Sequence, residues 1–138
     1  ITVIGVKDKP GVASEMFKSL KEINLDMIVQ SSSADGGETD ITFTIKKEDI
    51  KKSINLLKKN KKISYEKIFQ NDKVSKVSVV GAGMITQPGV AQKFFNALAK
   101  KRINIMVIST SEIKISVLID QQHTNKAVKL LHKEFDLE

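Results

Sequence analysis

Residues 8–17 read DKPGVASEMF, and residues 87–95 read QPGVAQKFF. Each Pro-Gly-Val-Ala follows an apolar run, ITVIGV (1–6) in one case and VSVVGA (77–82) in the other. The likeness extends on both sides. PGVASEMFKSL (10–20) matches PGVAQKFFNAL (88–98), and INLDMIVQSS (23–32) matches INIMVISTS (103–111). The chain is a twofold repeat of about 75 residues per unit, too long a period for a solenoid and right for tandem domains, 1–72 and 73–138.

Each unit shows the same order of patterns. Residues 1–6 are apolar on both faces of a strand, Ile1 and Val3 against Ile4 and Val6, as a buried central strand would be. Val12, Met16 and Leu20 recur at helical spacing and predict a helix over 11–22, with Pro10 suited to its first turn. A second strand is expected at 24–32, pairing beside the first. A turn follows at ADGGE (34–38), then a third strand at 39–45, a helix near 48–59 and a fourth strand at 63–69. The second unit predicts a strand at 76–82, a helix at 88–101, strands at 104–110 and 113–119, and a helix at 124–135 with Val128, Leu131 and Phe135 inward. No final strand follows. The order β-α-β-β-α-β is the ferredoxin-like pattern, an α+β fold with helices on one face of an antiparallel sheet. The missing last strand would leave an edge that a partner chain or another segment should cover.

Composition narrows the function. With 41% apolar residues the chain can build packed cores. It has no Cys, hence neither disulfides nor thiolate metal sites. The apolar runs VVGAGMI and INIMVI fall far short of the roughly 18 residues of a membrane span. No secretory signal is visible, so a cytoplasmic setting is expected; the start on Ile suggests a fragment or a processed chain. The net charge is +7, and all but one of the 23 basic residues are Lys. Clusters such as Lys58-Lys59 and Lys100-Lys101-Arg102 fall at helix ends, where cations are favoured, and no aromatic residues interleave with them. Solvated helix faces explain this charge better than nucleic-acid binding. Met16, Met27 and Met84 read as core filler, His123 and His132 lack a ligand constellation, and Gly81-Ala-Gly83 lacks the remainder of a dinucleotide fingerprint. No convergent acid, base and nucleophile set appears.

The repeated loop has chemistry of its own. A helix start presents N–H groups without intrahelical partners, and with the helix dipole they attract an anion such as a carboxylate. Glycine lets a ligand approach the backbone closely. Asp8, or Asp26 at the start of the next strand, could pair with an ammonium, so the combination suits a free amino acid. The plainer reading makes Asp8, Asp26 and Asp40 backbone-capping turn residues.

The strings ITVIGVKDKPGVASEMF, DMIVQSSS, DITFT, VSVVGAGM, ISTSEIKISVLID and AVKLLHKEF together resemble the C-terminal regulatory region of aspartate kinases, a tandem pair of ACT domains, over essentially the whole chain. The resemblance implies feedback sensing of lysine or threonine, bound between ACT domains of a homodimer, with ATP and the catalytic chemistry confined to a kinase domain elsewhere. It also implies that a strand upstream of the first ACT domain completes the second. The effector site it implies uses Asp8 for an ammonium or side-chain group, and Gly11, Val12 and Ala13 for the carboxylate. Asn24, Asp26 and Gln30 follow on the next strand. Ser33 and Thr42 match positions where changes relieve feedback inhibition, and Asn104 and Ile105 come from the second domain of a partner chain. Pro88 to Ala91 would form a second site.

Departures from the family pattern carry their own expectations. SLKEINLD is two residues shorter than usual, so the first helix should end early. Met106 replaces an acidic residue, and Ile85-Thr86-Gln87 replaces Arg-Ser-His, which weakens a second site. The alternative is an ACT-type dimerisation module without ligand. A ferredoxin-like RNA binder would need exposed strand aromatics that are missing here.

Overall fold

Two compact units, Ile1–Asp72 and Lys73–Glu138, divide the chain. The structure, a computed structural model, describes residues 1–32, 36–81 and 88–136.

The first unit runs β1 (Thr2–Lys7), α1 (Val12–Ser19), β2 (Ile28–Ser32), β3 (Glu38–Phe43), a 3-10 turn at Lys47–Asp49, α2 (Ile50–Lys59) and β4 (Lys67–Phe69). Its sheet is antiparallel in the order β2-β3-β1-β4. Val3, Val6, Ile41 and Phe43 of the sheet pack with Met16 and Leu20 of the α1 segment and Leu57 of α2. One sheet face therefore carries both helices. Phe43 is fully buried, with Phe17 set edge-on to its ring at 6.2 Å between centroids. Burying a side chain of this size stabilises by about 2–3 kcal/mol.

A bulge explains why Val3 and Val6, three residues apart, both enter this core. Val3 pairs with Ile41 and Val6 with Thr39, so Ile4 and Gly5 together oppose Asp40. Gly5 has φ 72°, and its N–H donates to Asp40 Oδ1 at 3.0 Å. The extra residue shifts the alternation by one and returns Val6 to the core face. The apolar pattern of 1–6 thus marks a bulged central strand rather than one buried on both faces. Asp40 here caps backbone, as the plainer reading held.

Other expectations need correction. The second strand pairs with β3, not with β1, and begins at Ile28 rather than at 24. Asp26 and Met27 still exchange backbone bonds with Thr44, but Asn24 and Leu25 approach as irregular chain. The fourth strand is confined to Lys67–Phe69, because Ile63 turns into the core before the strand starts. Helix α1 does end early, at eight residues.

The second unit runs β5 (Val74–Val80), α3 (Val90–Lys100), β6 (Val107–Thr110), β7 (Lys114–Asp120), a 3-10 turn at Gln121–His123 and α4 (Thr124–Glu134). Its sheet has three strands in the order β5-β7-β6. Ile115, Val117 and Ile119 of β7 face Phe94 and Leu98 of α3 and Ala127 and Leu131 of α4. Val128 is half-exposed, not inward: Ala127 and Leu131 form the buried stripe, and Val128 lies one helical step, about 100°, off it. Helix α3 has eleven residues and closes properly. Arg102 takes φ 56°, its N–H reaches the Ala99 carbonyl at 2.9 Å, and the Ile103 N–H reaches that of Leu98 at 3.0 Å. This is a Schellman ending sealed by the buried pair Leu98 and Ile103.

Two substitutions test this packing. Gly5→Ala should destabilise the chain by about 1–3 kcal/mol, because a Cβ there combines positive φ with a 2.8 Å approach to Glu66 Cβ. Ser53 is fully buried in α2, and its hydroxyl is the unpartnered buried side-chain atom among the described residues. Ser53→Ala should therefore stabilise by about 1 kcal/mol. Denaturant midpoints at constant slope would read both effects.

Candidate functional site

The loop from Asp8 to Gly11 carries the chain from β1 into α1. Gly11 caps the helix at φ 93°, ψ −14°, and no side chain bonds to the helix start. Its carbonyl accepts the Glu15 N–H at 3.0 Å, and the Val12 N–H turns back to the Lys9 carbonyl at 3.3 Å. The N–H groups of Ala13 and Ser14 are left at the helix mouth without an intrahelical acceptor. Gly89 caps α3 in the same way, at φ 85°, ψ −4°, with the Lys93 N–H on its carbonyl at 2.9 Å. A Cβ at either glycine would meet nothing within 4 Å. Glycine is required here by backbone conformation, and the space above it is open.

That space is a cavity of about 380 Å³, walled by 7–13 on one side and by Gln30, Thr39 and Ile41 on the other. Register explains the second wall. Gln30 lies opposite Ile41 across β2 and β3, on the face that carries the helices, and Thr39 follows two residues away on that face. Thr39 is buried, and its hydroxyl donates to the Ser31 carbonyl at 2.8 Å. The Asp8 N–H donates to the Gly37 carbonyl at 3.0 Å, which ties the loop to the turn ahead of β3. The walls carry the cations Lys7 and Lys9, the carboxylate of Asp8 and the amide of Gln30. A carboxylate at the mouth of α1 and an ammonium toward Asp8 together complement a zwitterion.

Five of the expected residues therefore meet at one place: Asp8, Gly11, Val12, Ala13 and Gln30. Others do not join them. Asp26 donates its N–H to the Thr44 carbonyl at 3.0 Å, which places it and Asn24 at the opposite end of the sheet from Asp8. Thr42 lies on the helix-free face, its hydroxyl 2.9 Å from that of Thr2. Ser33 lies outside the described residues, as do Met84 and the 85–87 segment. Asn104 is exposed in the second unit, just before β6, and Ile105 packs on that unit's core. Lys7, Lys9, Thr39 and Ile41 were missed as lining residues. The alternation of 39, 41 and 43 was the signal for Thr39 and Ile41, once β2 is set beside β3 instead of beside β1.

An ACT-domain family model matches residues 1–60 and 77–135. The chain is 47% identical to the aspartokinase of Helicobacter pylori over 140 residues and 45% identical to that of Corynebacterium efficiens over 141. These alignments take in 100% and 99% of the chain, which spans 34% of the length of either relative. Among solved structures, it is similar to a chain of the crystal structure of aspartokinase alpha and beta subunits, at 42% identity and a TM-score of 0.82, covering 99% of this chain and 90% of that one. It is also similar to the ligand-free regulatory subunit of aspartate kinase from Thermus thermophilus, at 34% identity and a TM-score of 0.86, covering 97% of this chain and 90% of that one.

Gly11→Ala and Gly89→Ala should each cost about 1–2 kcal/mol, the penalty of a left-handed Cβ without any clash. Circular dichroism should show an unchanged fold with a lowered midpoint for both.

Proposed function

The chain belongs to the ACT-domain family as the regulatory region of an aspartate kinase, and from that premise we propose that it senses a free amino acid, lysine and/or threonine, and transmits its binding to a kinase domain. The observation that carries this reading is the cavity at the first Pro-Gly loop, where an uncapped helix start, Asp8 and Gln30 converge. The α-carboxylate would lie against the N–H groups of Ala13 and Ser14, and the ammonium against Asp8. Gln30 and Thr39 would meet the side chain.

In this reading two chains form a homodimer, and Asn104 and Ile105 of the partner chain close over the ligand. Asn24, Asp26 and Thr42 act through the arrangement of the dimer and not as walls of this cavity, and Ser33 keeps its expected part in the effector response. Binding regulates only if the ligand prefers one of two arrangements, and its differential affinity sets the size of the effect. ATP and aspartate would be handled by the kinase domain, in the cytoplasm. The second loop, at Pro88 to Ala91, repeats the cap geometry, but the repeat has Thr86 where the first unit has Asp8, so the first site is assigned the sensing role.

A ligand-free dimerisation module is the second reading. The shortened α1 and Met106 favour it.

Thermal denaturation with lysine, threonine, both together, and arginine as a charge control separates the two. A ligand at about 100 times its dissociation constant adds roughly 2.7 kcal/mol, which raises the midpoint by several degrees. The sensor should respond to lysine or threonine, and Asp8→Ala should abolish the response without unfolding the chain. A dimer whose midpoint moves with none of them is the structural module.

A further inference from the structure

Helices α1 and α2 are joined by a polar latch one turn from the cavity. Asn60, the residue that ends α2, donates from Nδ2 to Ser19 Oγ at 2.7 Å and to Glu15 Oε1 at 3.0 Å. Its Oδ1 accepts the Lys62 N–H at 3.0 Å, which settles the orientation of the amide. Side chains on a helix ordinarily lean toward its N-terminus. The Glu15 carboxylate is instead drawn toward Ser19, away from the helix start.

The second unit repeats this arrangement with different chemistry. Lys93 holds the place in the repeat that Glu15 holds in the first unit, four residues after the glycine cap. Its Nζ lies 4.9 Å over the ring of Phe135, which ends α4 as Asn60 ends α2. In both units the first charged side chain of the helix opened by Pro-Gly is held on the C-terminal cap of the opposing helix.

The sign of the charge gives the first latch its consequence. The start of α1 has no side-chain cap, and a carboxylate within one turn of it is attracted by the helix dipole. Glu15, if released, is such a carboxylate and competes with any anionic ligand group for the same N–H groups. We propose that Asn60 is a positioning residue for the loop cavity, holding Glu15 off the α1 start so that its N–H groups stay open to a ligand carboxylate. The consequence for affinity rests on the amino-acid reading of the cavity; the latch itself does not.

The test begins without ligand. Backbone amide resonances of Ala13 and Ser14 are followed by NMR as pH falls through carboxylate protonation in wild type, Asn60→Ala and Asn60→Ala/Glu15→Gln, with Asn60→Ser in place of the alanine variant if that fails to fold. In Asn60→Ala these amides should follow the titration of Glu15. In wild type and in the double variant they should not, and any response to Asp8 is common to all three. Calorimetric titration with lysine and threonine then reads the consequence: about fivefold weaker binding in Asn60→Ala, recovered to within about twofold by adding Glu15→Gln. Amides that already follow Glu15 in wild type, or single and double variants that behave alike in the amide experiment, overturn the proposal. A wild type that binds neither amino acid while the amide result holds overturns the amino-acid reading and leaves the latch standing.

Discussion

A glycine held in the left-handed conformation at the end of each first loop is the constraint on which both units depend. It lets the chain leave the central strand and enter a helix without a side chain filling the helix mouth. Any other residue would strain the turn, and a capping Ser or Asp would satisfy the N–H groups that the loop leaves open. The same geometry therefore directs the helix back over the sheet and creates an anion-seeking point at the sheet end. Fold and site share one cause, which is why the Pro-Gly-Val-Ala string survives twice in a chain whose two halves otherwise differ at many positions.

Much of this was legible in the residues. The repeat, the α+β order and the three-stranded second sheet follow from self-similarity and spacing, and the early end of α1 from the short SLKEINLD segment set against the family pattern. The misreadings have specific causes. A run apolar at 1, 3, 4 and 6 looks the same whether a strand is buried on both faces or bulged, and only the pairing of Gly5 and Asp40 distinguishes the two. Strand order is a tertiary property. Setting the second strand beside the first moved Asn24 and Asp26 to the wrong end of the sheet and hid Thr39 and Ile41. Val128 failed because several apolar residues crowd α4, and packing against β7 selects Ala127 and Leu131.

The two units also show how a duplicated frame admits different chemistry. At equivalent points Glu15 faces an amide and Lys93 an aromatic ring, Asp26 is replaced by Met106, and a bonded hydroxyl pair is Thr2 with Thr42 in one sheet and Ser78 with Ser116 in the other. Each exchange keeps a contact while changing its charge or its volume. The backbone scaffold is common, and the chemical differences between the units lie in the side chains it carries.

The short strand β4 has a kinetic consequence. In the first unit the central strand pairs with the last one, Thr2 with Phe69, so its sheet is complete only when the two ends of the unit meet. In the second unit the longest-range pair joins Val74 to Asp120, and α4 still follows it in sequence. Closing a loop between distant residues must precede the contacts that reward it, and folding slows as contacts become less local. The first unit accordingly carries the larger closure cost, in the pairing of β1 with β4. Its β4, only three residues long, offers few ladder bonds to offset that cost.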